Sequence, residues 1–201
     1  MPKTVDHDQR RSQIADAVVQ LAAREGLHAV TMRAAAAETG FSLRLVQYYF
    51  PSKAELLRGV LDHLRRRCNE RWSARLAELQ RPVTARSYVE AFLHEALPSD
   101  DDSRAFHLVG ASYTVLAMTD PDLAEAGLAA GIHPLEDQLA DALRRGQQDR
   151  ELAQDLDPEH EAARLVALNH GIGTTVLIGH RSADEGRAVL RYHVRALFGT
   201  G

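Results

Sequence analysis

With 201 residues, 45% of them hydrophobic and 26% charged, the chain has the make-up of a globular protein holding one large domain, or a small one joined to a larger. One cysteine, Cys68, excludes an internal disulfide, and neither a secretory signal nor an apolar run of about 18 residues is found, so the expected location is the cytoplasm, with no membrane partner. The net charge of −4 is uneven: residues 1–80 hold 13 Lys and Arg against 9 Asp and Glu, and the remainder holds 11 against 19, so a polyanion would meet the first part only.

Helix signals recur along the chain and no alternating strand pattern is found. The spacing predicts a first helix over residues 8–25, with Ile14, Val18, Leu21 and Ala22 on one face and Gly26 past its end. Thr31 is a good N-cap for an Ala-rich second helix, which Gly40 ends in a left-handed turn. Ser42 caps a short third helix whose inward stripe is Val46, Tyr49 and Phe50. Its other side carries Leu43, Arg44, Gln47 and Tyr48, and Pro51 stops it.

Ser52-x-x-Glu55 is a capping box that opens a long fourth helix, expected to reach about Gln80 and to span roughly 40 Å. The basic run Arg65-Arg66-Arg67 on it is expected to be a solvated face. Pro82 breaks it, and a fifth helix is expected from Thr84 to Leu97. Residues 98–103, P-S-D-D-D-S, read as a polar loop before a sixth helix over 104–118. Asp120-Pro121 and Asp157-Pro158 are N-cap signals, the first opening a helix to about Gln147 with a kink at Pro134. Ser182-x-x-Glu185 caps the last helix. The fold class is all-α, with about nine helices.

Thr31 and Arg33, Gly40 and Ser42, and Tyr48-Tyr49-Phe50 followed by Ser52-Lys53 together resemble the DNA-binding domain of the TetR family of transcriptional regulators. That resemblance implies a helix-turn-helix domain over residues 1–53 and a helical effector-binding and dimerisation domain over 54–201. It implies a homodimer on a palindromic double-stranded operator, most often a repressor, released by a small-molecule effector. Two positions depart from the family pattern, Ala35 and Phe41, and the phenyl ring is expected to fill the volume missing at Ala35.

On the third helix, Arg44 and Gln47 suit base reading, because an Arg fork can donate twice to guanine and Gln can pair bidentately with adenine. Leu43 or Leu45 is placed to touch a thymine methyl. Thr31, Arg33, Ser42, Tyr48 and Lys53 suit backbone phosphates, which set register rather than sequence. By the resemblance, the last two helices pair with their symmetry mates through Leu165, Leu168, Ile172, Val176, Val189 and Tyr192, with Gly171 and Gly173 allowing close approach. Residues proposed to meet the effector are Asn69, Trp72, Phe92, His107, Tyr113, Met118 and His170, since ligand pockets are mostly apolar with a few placed polar groups.

The rival reading is a helical enzyme or metalloprotein. The one E-x-x-H, Glu25 to His28, is interrupted by Gly26, and no H-E-x-x-H, paired-cysteine zinc site or G-x-S-x-G elbow occurs. No metal, cofactor or catalytic residue is expected. A nonspecific architectural DNA binder would be more basic than this chain.

Overall fold

A computed structural model describes residues 3–119 and 129–199. Over these residues the secondary structure is helical: α1 Lys3–Glu25, a 3-10 turn Leu27–Ala29, α2 Met32–Thr39, α3 Leu43–Tyr49, α4 Lys53–Ala77, α5 Ala85–Glu95, α6 Asp101–Ala117, α7 Ala129–Gln148, α8 Pro158–Leu177 and α9 Ala183–Phe198. None of the described helices is long and apolar enough to cross a membrane.

The boundaries follow from local chemistry. The first amides of a helix lack intrahelical acceptors, so side-chain oxygens supply them. Thr31 accepts from the Ala34 amide, Ser42 from Leu45, and Ser52 from Glu55. Thr84 and Ser182 close reciprocal capping boxes, and the Asp157 carboxylate accepts from the amides of Glu159 and His160. Those bonds to His160 and Glu159, the backbone one foremost, hold the Asp157 carboxyl at about 2. Gly40 sits at φ 70°, the left-handed position where a Cβ is penalised.

Two expectations are corrected. Helix α1 starts at Lys3 rather than residue 8, and it brings His7 against α3, as described below. The acidic run is exposed, as expected, but it is not all loop: α6 begins at Asp101, the Asp100 carboxylate accepts from the Ser103 amide at 2.7 Å, and the Ser103 hydroxyl accepts from the amides of Ser99 and Asp100. Acids at a helix N-terminus are stabilised by its free amides, which a loop reading overlooks. The basic run on α4 is also less free than expected, since Arg65 pairs with Asp62 and Arg67 with Asp16. Helix α7 runs through Pro134, while the Asp120-Pro121 signal lies outside the described residues.

The chain forms two compact units, residues 1–68 with 104–130, and 69–103 with 131–201. The first unit encloses Ile14, Val18, Val30, Ala35, Val46, Phe50, Leu56, Val60, Val109 and Tyr113. The second encloses Val89, Leu93, Leu97, Leu139, Leu143, Leu165, Leu190 and Val194. Burying each of the Val, Leu, Ile and Phe side chains among them contributes about 1.5–3 kcal/mol. In the first unit, the end of α3 is fitted to α4 by an absence of volume. A Cβ on Gly59 would fall 2.3 Å from Cε1 of Phe50 and 3.2 Å from Cδ1 and Cζ, so that glycine lets the edge of the ring press against α4.

Candidate nucleic-acid interface

Helix α3 is seven residues long, too short to persist alone, and is held by what it buries. Val46 and Phe50 are fully buried, and Tyr49 packs half-buried against the same core. That fixes the rotation of the helix and turns Arg44, Gln47 and Tyr48 to solvent, with Tyr48 66% exposed. Ser42 at its start is also exposed, while Leu45 is half-buried. Leu43 is half-buried and packs against the first unit's core, which leaves less of it for a base edge.

The charges in the segment that carries α3 are all of one sign. Residues 39–54 contain no Asp or Glu, and Arg33, Arg44 and Lys53 are exposed and make no ion pair among the described residues. Arg24, by contrast, is held by Glu38 through both guanidinium nitrogens, at 2.9 and 3.2 Å, and its pKa is raised, chiefly by its hydrogen bonds to Glu38. Thr31 and Ser42 are exposed, although each hydroxyl already accepts a capping amide. Their capacity to donate to a phosphate is untouched by that bond.

Sequence reasoning missed the contribution of α1. His7 Nε2 lies 3.2 Å from the Tyr48 hydroxyl, and its ring meets the Tyr49 ring edge-on with centroids 4.7 Å apart. Arg11 donates to the Tyr49 carbonyl at 3.0 Å, satisfying an orphan acceptor at the C-terminus of α3, and lies 4.5 Å over the Phe50 ring. Arg10 lies 5.2 Å over the ring of Phe41, which is half-buried against the first unit's core. No local pattern marks His7 or Arg11; only the fold carries the start of α1 to the end of α3. Deeper in the unit, the buried His63 Nε2 sits 2.7 Å from Asp16 Oδ1, which also accepts from Arg67 at 3.2 Å, tying α1 to α4.

The second unit holds most of the other residues expected to bind. Trp72 meets Tyr88 and Phe92 edge-to-face, with ring centroids 5.2 and 6.3 Å apart. The buried indole N–H of Trp72 adjoins the Tyr88 hydroxyl without completing a hydrogen bond, and burial pushes the Tyr88 pKa up. Asn169 is 1% exposed: its amide N–H donates to the Ala96 carbonyl at 2.8 Å, and its Oδ1 has no partner among the described residues. Asn69 and His170 lie at the surface, yet partial desolvation still lowers the His170 pKa, with Glu136 pulling the other way. His193 Nε2 is buried without a partner, and desolvation, aided by Arg164, lowers its pKa too. In the first unit, His107 meets the Phe106 ring, Tyr113 is buried in the core, and Met118 is 76% exposed. Of the seven residues expected at the effector, ring packing joins Trp72 and Phe92 only.

Along α8 and α9, Leu165, Ile172 and Val176 are buried within the monomer, and Leu168 and Val189 are half-buried against its core. Tyr192 is 69% exposed. Also exposed on these two helices are small residues, Ala163, Ala167, Gly171 and Thr174 on α8 and Ala188 and Ala196 on α9, together with Arg164, Arg191 and Arg195, and Ile178 just past α8. Hydrophobic periodicity passes over the small residues because each hides little apolar surface.

Residues 14–60 match the family described as bacterial regulatory proteins, tetR family, and residues 85–199 match the BetI-type transcriptional repressor, C-terminal family. The chain is 26% identical to the HTH-type transcriptional regulator PksA of Bacillus subtilis over 98% of its own length and 94% of that protein's. A transcriptional regulator from Saccharomonospora viridis, solved in complex with choline, is 27% identical and superposes with a TM-score of 0.81, covering 94% of this chain and 96% of that one. A TetR-family regulator from Rhodococcus sp. shares the fold with a TM-score of 0.85 at 21% identity, over 95% of this chain and all of that one. A capped helix-turn-helix with uncommitted cations, followed by a helical second unit matched over most of its length, is a transcriptional regulator rather than an enzyme, and the chain belongs to the TetR family.

Proposed function

We propose that this regulator is a homodimeric repressor that binds a partly palindromic operator through α3 and leaves it when a small organic effector binds the second unit. The observation that carries the reading is the outward face of α3, where Arg44 and Gln47 are solvent-exposed and unpaired on a helix locked by Val46 and Phe50. In this reading residues 1–53 are the DNA-binding domain and 54–201 the effector-binding and dimerisation domain. Arg44 and Gln47 read base edges, and Arg33, Lys53 and Tyr48 take backbone phosphates. One such helix covers only a few base pairs, so two copies are needed, set about one DNA turn apart.

The second copy pairs through the outward face of α8 and α9. Tyr192 is the large side chain on that face, and Ala163, Ala167, Gly171 and Ala188 supply the shallow ground it packs on. The effector binds beside Trp72, Tyr88 and Phe92. Those rings suit a choline-like organic cation, the class of molecule bound by the Saccharomonospora relative. Asn169, tied to Ala96 one turn beyond Phe92, offers the unpartnered Oδ1 as an acceptor.

Selection of duplexes from a randomised library, followed by gel-shift titration, tests the DNA reading. A palindromic site bound by two chains is expected. Arg44→Ala should then bind that site roughly 10- to 100-fold more weakly and relax one base pair in each half-site. Undiminished affinity of Arg44→Ala would refute the assigned base reading.

A further inference from the structure

We propose that His7 on α1 is part of the DNA interface, as a positioning residue that orients the Tyr48 hydroxyl toward a backbone phosphate. The proposal rests on the DNA reading above and concerns a residue that reading does not use. Tyr48 is the most exposed ring of α3, and an exposed phenol on a helix rim is ordinarily free to swing. Here it is held from two sides. The Tyr49 ring stands edge-on to it with centroids 5.2 Å apart, and His7 packs against both tyrosines, 5.5 and 4.7 Å away. His7 is itself held in place by the helix that carries it, since Arg11, one turn on, is bonded to the Tyr49 carbonyl and seated on Phe50.

The 3.2 Å approach of His7 Nε2 to the Tyr48 hydroxyl has a direction that DNA would select. A phenol donates one proton. If Tyr48 donated it to an unprotonated Nε2, the oxygen would turn only lone pairs to solvent, and those repel a phosphate. If His7 carries the proton on Nε2 and donates it to the phenol oxygen, the Tyr48 O–H is left to donate outward to a phosphate oxygen. The chain Nε2–H to phenol O, then phenol O–H to phosphate O, uses every donor once. It also polarises the phenol in the sense that strengthens its bond to an anion. Arrangement of the rings ahead of binding spares the rotamer entropy that a free tyrosine would lose.

His7→Phe separates this role from packing, because phenylalanine keeps a ring against Tyr49 and removes only the N–H. On the selected duplex, Tyr48→Phe should weaken binding by roughly tenfold, and His7→Phe by roughly 3- to 10-fold. The double variant should be no weaker than Tyr48→Phe alone, because both changes break the same chain. Duplexes carrying a single neutral methylphosphonate at successive backbone positions should reveal one position per half-site where wild type loses affinity and His7→Phe loses little more. Circular dichroism melts matching wild type would assign these losses to the interface and not to folding. Wild-type affinity in His7→Phe, or losses that add in full in the double variant, would overturn the proposal while leaving the DNA reading intact. A library yielding no retained duplex would overturn both.

Discussion

The two units of this molecule leave different things unfinished. In the first, the buried polar group is answered internally, His63 by Asp16, while the outside of α3 keeps Arg44, Arg33 and Lys53 without carboxylate partners. In the second, α8 opens on Glu159 and Glu161, each tied to an arginine, but the interior holds the three buried polar atoms without hydrogen bonds found among the described residues: Trp72 Nε1, Asn169 Oδ1 and His193 Nε2. An unpaired cation in water costs little and remains available to a polyanion. A buried polar atom without a partner costs about 1–3 kcal/mol, which a binding partner can return. In the proposed reading, the first unit takes its partner at its surface and the second takes one inside it.

The largest effect expected on this contrast comes from the outer face of α8 and α9. Tyr192→Glu should place like charges near each other across a two-fold axis and convert the dimer to a monomer in sedimentation. Operator affinity should fall by roughly 100-fold or more once the two α3 helices no longer bind as one unit. A dimer that survives Tyr192→Glu with its operator affinity intact would place the second copy elsewhere.

Next comes the interior of the second unit. Titration with choline should raise the melting temperature, by roughly 5–10 °C when the ligand exceeds its dissociation constant about 100-fold. In Trp72→Ala the rise on adding choline should vanish, whatever the variant's own starting melting point. A wild-type chain that does not respond sinks the organic-cation assignment; an unreduced response in Trp72→Ala sinks its location.

What is legible in the sequence is mostly local. Thr31, Ser42, Ser52, Asp157 and Ser182 act as caps in the structure because a cap needs only its own next three residues. The α3 stripe is legible because Val46 and Phe50 are large and periodic. Asp100 and Ser103 cap each other's amides in a stretch that has the pattern of a loop, because three adjacent acids look alike until the backbone turns. His7 is hidden because its partners are 41 and 42 residues away. Gly59 carries no signal because a glycine inside a long helix has no meaning until the edge of the Phe50 ring is seen against it. Leu165 and Ile172 draw attention as interface residues because they are apolar, yet it is the small residues beside them that reach the surface. Size and hydrophobicity report burial; they do not report which body does the burying.

The smallest effect is also the sharpest test of the outside charges. Lys53 is exposed in the first turn of α4, without an ion-pair partner and beside amides that favour an anion. Arg164 is exposed too, but Glu161 on its own helix already neutralises it. If the free cations of the first unit are phosphate ligands, Lys53→Ala should weaken every duplex about equally. It should also flatten the plot of log affinity against log salt by roughly 0.9 for each phosphate that the lysine no longer neutralises, or about 2 for a dimer. Arg164→Ala removes the same formal charge from a place where it was already answered, so its plot should run parallel to that of wild type. Equal slopes for all three proteins would mean that Lys53 touches no phosphate. A flattened slope for Arg164→Ala would mean that the second unit meets the backbone as well, and that an ion pair within one helix does not keep a cation from DNA.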